Sequence, residues 1–203
     1  MEKNAVSLKV VTHRTCGRHF IINFVVCLPP SCPNCSESLN ECDINISNFP
    51  KPFTSGCEFA IVLKPTRGTF STYSLGSELH IGIFDPNSAV YSFVETGVHA
   101  EPSSSWRESI AIMTFDSAEV DMSRLLRDFL AYSSARFVPQ KYDLNHWNCF
   151  NFVVEFTNFL GAFPNMNKQE FAKRFIRAPL RRVLRYHRLL HEVTLYQEFV
   201  MPL

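Results

Sequence analysis

The hydrophobic period of the chain changes along its length, and this change constrains the fold more than any other feature. Alternating or short apolar runs typical of β-strands come first, and helical spacing follows. The strand-like runs are residues 57–63, 79–84, 89–94 and 109–115. Helical spacing covers residues 119–133 and resumes behind Cys149. This order predicts an α+β fold in which an antiparallel sheet packs on helices.

The C-terminal third carries further start signals for helices. Asn167 and Glu170 have the spacing of a capping pair, and Pro179 suits the first turn of another helix. Residues 193–200 are predicted to return as a strand.

A cysteine-rich head precedes this body, because six of the seven cysteines lie before residue 58. The composition predicts a zinc-ribbon-like head over residues 1–45, a linker over 46–56 and a body over 57–203. The head contains an H-x2-C and a C-x2-C pair, formed by His13, Cys16, Cys32 and Cys35. Two such knuckles can present four ligands to one tetrahedral Zn²⁺ ion. Residues 20–26 could form the hairpin of the ribbon.

The ligand set of the head stays open, since His19 or Cys27 could replace His13. The alternative is a set of reduced cysteines packed under a loop. If zinc binds, its role is structural, because about 40 residues bury too little apolar surface to fold alone.

Cys149 lies where the polar stretch Tyr142–Asn148 turns into an apolar helix. Asn145 or Asn148 would cap this helix, and the N-terminal N–H groups would favour a thiolate. The backbone near Asn148 and Phe150 could also hold an oxyanion. His80, on the strand 79–84 beside Gly82, is the candidate base. A buried core thiol is the alternative.

These residues resemble a known family. The motif Asn148-Cys149-Phe150-Asn151-Phe152, with a strand histidine 69 residues upstream of the cysteine, is similar to the circularly permuted papain-like proteins. They include the PPPDE desumoylating isopeptidases and the lecithin:retinol acyltransferase-like enzymes. The resemblance covers about residues 57–166 and implies a permuted papain-like fold with a Cys149–His80 dyad.

Across nearly the whole chain, the strings CPNCS, LKPTRGTF, LHIGIFDPNSAVYSF and NHWNCF resemble the makorin-2 opposite-strand protein family. One departure concerns the acyltransferase branch, which carries a second polar group, usually His, twelve residues after the strand histidine. Ser92 stands there. Serine could orient an imidazole but cannot stabilise its charged form as a carboxylate does, so no acyltransferase triad is evident. His146 could compete for the thiolate or for a metal, and the alternative is an exposed or capping histidine.

The distribution of charge bears on possible partners, and the targeting signals bear on cellular location. Residues 168–188 contain eight Lys and Arg residues but one acidic residue, Glu170, so this segment could contact RNA, an acidic protein or an anionic membrane. We favour a solvated helical face, because no aromatic-interleaved RNA motif accompanies it. Neither a signal peptide nor a membrane span is predicted, and we expect an intracellular protein, cytoplasmic or nuclear.

Two functions follow from these patterns. The first is a non-catalytic or highly specialised interaction module that binds an unidentified protein partner. The alternative is a thiol hydrolase of the isopeptidase or peptidase type, with Cys149 as nucleophile, His80 as base and a protein as substrate.

Overall fold

The computed structural model describes residues 7–23, 28–54, 56, 58–116 and 120–196. It has the predicted α+β composition, with antiparallel sheets and a few helices. The chain forms two compact units. The first contains the described residues up to Lys51 together with those from Leu184 onward, and the second contains Pro52–Val183.

The first unit is built on three antiparallel strands in the order β2-β1-β3. These strands are β1 (Leu8–His13), β2 (His19–Asn23) and β3 (Ile44–Asn48). Val11, Phe20, Ile22 and Ile44 form one buried cluster of this unit, in which Leu8 and Ile21 are buried as well.

Two sequence-based predictions for the head, its linker and its hairpin, differ from the observed strands. The predicted linker 46–56 begins inside β3, whose Ile44 and Ile46 alternate with polar residues in too short a run to stand out. The proposed hairpin of residues 20–26 is replaced by β2 pairing with β1, and residues 24–27 lie outside the described part.

The second unit contains a five-stranded antiparallel sheet in the order β7-β6-β5-β4-β8. Its strands are β4 (Phe59–Pro65), β5 (Leu79–Phe84), β6 (Val90–Val94), β7 (Gly97–Glu101) and β8 (Ile110–Phe115). Four of them confirm the predicted runs to within two residues. The sequence GVHAE of β7 carries too few apolar residues to show a strand period, so the sequence did not predict it.

Four α-helices follow in sequence. They are α1 (Met122–Ser133), α2 (Cys149–Phe159), α3 (Lys168–Phe171) and α4 (Arg177–Tyr196), with a π-helical segment over Ala172–Ile176 between α3 and α4. These segments run without a break from Lys168 to Tyr196, so Pro179 does not open a new helix as predicted. It lies inside a continuous helix, three residues behind the π-helical segment. The strand predicted from residue 193 is wrong for residues 193–196, which extend α4, while residues 197–203 lie outside the described part.

The two faces of the large sheet bury different clusters. On one face, the Phe59 and Phe156 rings lie 6.1 Å apart, so α2 packs against β4. Phe129 of α1 extends this aromatic core, with its ring 5.3 Å from that of Phe156. The opposite face holds Ala60, Val62, Phe84, Val90 and Trp106.

Candidate functional site

The predicted cysteine and histidine ligands of the head come together in the first unit. His13 ends β1, and the turn behind it is closed by a hydrogen bond from the Gly17 N–H to the His13 carbonyl. Gly17 has φ +66°, a left-handed value that glycine adopts without strain. The Cys32–Cys35 turn is closed by the Ser36 N–H, which donates to the Cys32 carbonyl at 2.8 Å. Each pair therefore sits on its own tight turn.

The four donor atoms have the spacing of a tetrahedral metal centre. All lie within 4.8 Å of one another. The Cys16 and Cys32 sulfurs are 3.8 Å apart, and His13 Nδ1 lies 3.4 Å from the Cys16 sulfur and 3.3 Å from that of Cys35. Tetrahedral zinc with bonds of about 2.3 Å to sulfur separates two sulfurs by about 3.8 Å. The residues present therefore fit Zn²⁺.

The chemistry of Cys32 also suits a metal ligand. Burial raises the pKa of its thiol, but N–H groups of Asn34 and Cys35 and the neighbouring thiols outweigh this effect and lower the pKa to about 7. The ligand form is the thiolate, so these N–H groups favour the state that binds metal.

Of the two alternative ligands, the one that the structure describes, His19, is not part of this cluster. His19 is exposed, and its Nδ1 lies 3.4 Å from the Thr12 hydroxyl. Cys27 lies outside the described residues. The geometry thus favours His13, whose side chain is 1% exposed.

The second predicted site centres on His80 of β5. Its Nε2 is hydrogen-bonded to the Ser92 hydroxyl at 3.1 Å, and its ring lies 5.3 Å from that of Trp106. Trp106 donates to a Glu101 carboxylate oxygen at 2.6 Å, and the Lys64 ammonium lies 4.2 Å from the Trp106 ring. His80 is therefore part of a half-buried polar network that includes the predicted orienting group.

This network holds the imidazole in its neutral form. Burial, and then the positive charge of Lys64, lower the pKa of His80 to about 4, although Glu101 opposes them. Burial also lowers the pKa of Lys64. A histidine in these surroundings is uncharged at pH 7.

Gly82 explains how Trp106 can lie so close to β5. A Cβ atom on Gly82 would lie 2.7 Å from Val90 Cγ1 and 3.0 Å from Trp106 Cη2. Only a residue without a side chain leaves this space for the indole. The glycine suggested from the sequence room for another backbone or a substrate, and in the structure the Val90 and Trp106 side chains and the Tyr91 carbonyl occupy this space.

Cys149 is the first residue of α2 and is 5% exposed. Burial raises the pKa of its thiol, although the N–H groups of Ile81 and Phe150 act in the opposite direction. The contribution of Ile81 places the sulfur beside the peptide group that follows His80. The thiol therefore lies beside the backbone of β5, while the His80 side chain contacts Trp106 on the sheet face opposite to α2.

No hydrogen bond joins the His80 ring to the Cys149 thiol among the contacts of the described residues. Both groups have pKa values shifted toward their neutral forms. The structure thus places the His80 ring with Trp106 on one face of the large sheet, whereas Cys149 begins α2, which packs on the opposite face. It does not bring the predicted pair together as a thiolate–imidazolium pair.

The backbone donors predicted for an oxyanion are already used by the helix cap. The Phe150 N–H donates to Asn148 Oδ1 at 3.0 Å, and the Asn148 N–H donates to Asn151 Oδ1 at 3.1 Å. The Asn148 amide also donates to the Leu144 carbonyl. These bonds form a capping box that fixes the start of α2. Neither N–H is free to bind a substrate oxygen in this arrangement.

The other histidine near the cysteine is placed at the surface. His146 is exposed and contacts the Asp143 carboxylate at 2.9 Å through Nδ1. That carboxylate also accepts N–H groups of His146 and Asn145. His146 therefore closes the loop before α2 rather than acting on Cys149.

Several residues near these groups were not singled out from the sequence. Lys64, Glu101 and Trp106 surround His80. Near Cys149, the positive charge of Lys168 opposes the rise in the cysteine pKa, while burial and then the charge of Cys149 raise the pKa of Tyr142. Lys64 pairs with His80 across β4 and β5, so a correct prediction of the register of these two strands could have identified Lys64. Glu101 and Trp106 come from β7 and the short 3-10 helix Ser103–Trp106, for which the sequence gives no periodic signal.

Comparison with known proteins identifies the class. The family model DUF4796 C-terminal matches residues 47–193, and this match shows that the chain belongs to that family. The chain is also similar to the human MKRN2 opposite strand protein, with 32% identity over 174 residues, which are 77% of this chain and 74% of the relative. The resemblance to the makorin-2 opposite-strand protein family predicted from the sequence is thus confirmed. Neither description names a reaction or a ligand.

Two further comparisons concern structure and membranes. No solved structure matches the chain. Among the described residues, no helix combines the length and the apolar character needed to cross a bilayer.

Proposed function

We propose that this chain is a non-catalytic interaction protein with a circularly permuted papain-like body and a zinc-stabilised head. The observation that carries this proposal is the state of the Cys149–His80 pair. The imidazole is bound to Ser92 and neutral, and the thiol is buried with a raised pKa. A cysteine nucleophile needs its thiolate, which these surroundings disfavour.

The permuted papain-like assignment is supported by an arrangement of three features. An antiparallel sheet carries a histidine on β5, a buried cysteine begins the helix that packs against that sheet, and Ser92 is hydrogen-bonded to the histidine. The order of histidine before cysteine in the chain is that of the permuted proteins. We propose that the fold is retained while its chemistry is not.

Structural zinc is the second part of the proposal. The support is the tetrahedral spacing of His13, Cys16, Cys32 and Cys35 and the N–H groups that favour the Cys32 thiolate. A metal bound by these four side chains would add stability to the first unit, because it would join the two turns that carry them.

The experiment for the non-catalytic assignment is the pH dependence of Cys149 alkylation. Folded protein is treated with iodoacetamide between pH 6 and 10, and labelling of each cysteine is followed by peptide mass spectrometry. We expect Cys149 to react slowly below pH 8 and faster above pH 9, because its thiol is neutral and covered. Exposed Cys42 is the internal reference.

A fast, selective reaction of Cys149 near pH 6 would contradict this assignment. It would favour the second candidate, a thiol hydrolase. The specific observation for that candidate is the position of Cys149 as the first residue of α2, where the N–H groups of Ile81 and Phe150 oppose the rise of its pKa that burial causes. Cleavage of isopeptide-linked ubiquitin-like substrates by the wild type, abolished in Cys149→Ser, would establish it.

A further inference from the structure

The loop between α2 and α3 and the following turn of helix form an open groove of about 790 Å³. Its apolar lining includes Phe163, Pro164 and Met166, and its charged lining includes Lys173 and Arg174. We call residues 162–166, 170, 173 and 174 the basic groove. It lies within the second unit, and its lining includes neither His80 nor Cys149.

The loop that forms the groove is held in one conformation by side chains. The Asn158 amide donates to the Met166 carbonyl at 3.2 Å, and its oxygen accepts the Met166 N–H at 3.2 Å. Asn167 then caps α3 by accepting the N–H groups of Gln169 and Glu170. Because these bonds fix the backbone on both sides of the bend, the groove is preformed.

Aromatic rings fix the position of Arg174. Phe163 and Phe175 lie 5.0 Å apart, and the Arg174 guanidinium lies 4.7 Å and 5.2 Å from their centroids. Stacking on rings leaves the N–H groups at the edge of a guanidinium available, and their planar geometry matches a carboxylate. Arg174 is therefore positioned to bind an acidic group at the wall of an apolar groove.

The positive charge around the groove is not neutralised inside the molecule. Lys173, Arg174, Arg177 and Arg181 are exposed, and none forms an ion pair with another described residue. The acid within the groove, Glu170, accepts the Asn167 N–H at 3.3 Å as part of the cap. Arg177 and Arg181 follow Lys173 at intervals of four residues, so the charge continues along α4.

We infer that the basic groove is a docking site for an acidic protein segment that carries an apolar anchor residue. The apolar floor would take the anchor, and Arg174 and Lys173 would bind flanking carboxylates. This occupant fits better than RNA, because the groove walls offer no exposed aromatic stack for successive bases. The inference deepens the proposed interaction function and rests on it, since it names the kind of partner.

The test measures binding of the full chain to labelled probes by fluorescence anisotropy. The probe is a twelve-residue peptide with five Glu on each side of a Phe-Leu pair. Comparison probes replace every Glu by Gln, replace Phe-Leu by Gly-Gly, or substitute a twelve-nucleotide oligouridine. We expect the Glu-Phe-Leu peptide to bind tightest and its affinity to fall with added salt.

Variants connect the binding to the groove. Lys173→Gln with Arg174→Gln should weaken binding at least about 10-fold, as expected when charge-assisted hydrogen bonds are lost. Arg174→Lys keeps the charge without the planar fork and should have an intermediate effect. The matched control, Arg124→Gln with Arg127→Gln on exposed positions of α1, should bind as wild type does.

Equal binding by wild type and the groove variant, preference for oligouridine, or a response independent of salt would each overturn the inference. Cys149→Ala should bind the peptide unchanged. Because this assay follows no reaction, the groove can be tested even if alkylation shows that Cys149 is a nucleophile, and the two proposals fail separately.

Discussion

At the scale of single residues, His80 is the side chain whose surroundings say most about function. Its hydrogen bond goes to a serine hydroxyl, and its nearest described charges are the Lys64 ammonium and the Glu101 carboxylate. Burial and Lys64 outweigh Glu101, so the imidazole stays neutral. A hydrolase of this geometry would need the opposite balance, with a negative group stabilising a charged imidazole.

The low pKa of His80 makes stability depend on pH. Because unfolded histidine has a pKa near 6.5 and the folded pKa is about 4, the unfolded state binds more protons between these values. The His80 contribution is thus complete above about pH 7 and falls as the pH drops toward 4, by about 3 kcal/mol in total. Denaturant unfolding between pH 4 and 8 measures this slope.

The control for this prediction is a pair of glutamine variants. His80→Gln should flatten the dependence by about one proton, whereas His99→Gln, at an exposed position of β7, should leave it unchanged. Identical slopes in wild type and His80→Gln would show that His80 does not titrate abnormally.

At the scale of secondary-structure elements, the start of α2 is the feature that separates a structural role from a catalytic one. The same N–H groups that could bind an oxyanion are hydrogen-bonded in the capping box of Asn148 and Asn151. Each of these bonds stabilises the helix, and each gives an acceptor inside the protein to an N–H group that an oxyanion would need. The element is therefore arranged for stability.

Removal of the cap tests the structural role of Asn148. Asn148→Ala should lower the free energy of unfolding by about 1–2 kcal/mol, because the Phe150 N–H loses its acceptor. Thermal or denaturant unfolding gives the value. Asn145→Ala, at the exposed alternative cap position, is the control and should change stability little. Equal effects of both substitutions would contradict the assignment of the cap.

Much of this element structure could be predicted from the sequence. The apolar faces behind Cys149 and the Asn167–Glu170 spacing predict α2 and α3 because helix periodicity and caps are local signals. By contrast, β3 and β7 are short and mostly polar, so their pairing depends on neighbouring strands rather than on their own residues. The end of α4 was predicted as a strand because the apolar residues of the tail fit both the helical and the strand period.

The candidate sites likewise include features that the sequence predicts and features that it does not. The metal ligands could be predicted because two short-range pairs on tight turns carry the signal, and the turns need only local bonds. The charge state of His80 could not, because it depends on Lys64, Glu101 and Trp106, which three different segments bring to it. Long-range packing decides such pKa values.

At the scale of the whole molecule, the two units have different means of stabilisation. The second unit buries a large aromatic core, including Phe59, Phe129, Phe152 and Phe156. The first unit has a three-stranded sheet with a small apolar core beside the Cys/His cluster. A bound metal would therefore matter most for the first unit.

Metal analysis and chelation test this difference. We expect about one zinc per chain, lost in a Cys32→Ser, Cys35→Ser variant and retained in Cys42→Ser, whose exposed cysteine lies outside the cluster. On chelation, hydrogen-exchange protection should fall in β1–β3 before it falls in β4–β8. Full protection of β1–β3 in metal-free protein would contradict a structural role for zinc.

The most direct test of the central claim, that His80 and Cys149 are both uncharged at neutral pH and form no ion pair, is an NMR titration of the His80 ring. The signal is assigned by its loss in His80→Gln and followed in wild type and in Cys149→Ala. We predict a neutral imidazole at pH 7 that titrates near pH 4 in both proteins. An imidazolium at pH 7 in wild type that becomes neutral in Cys149→Ala would reveal a thiolate–imidazolium pair and contradict the account.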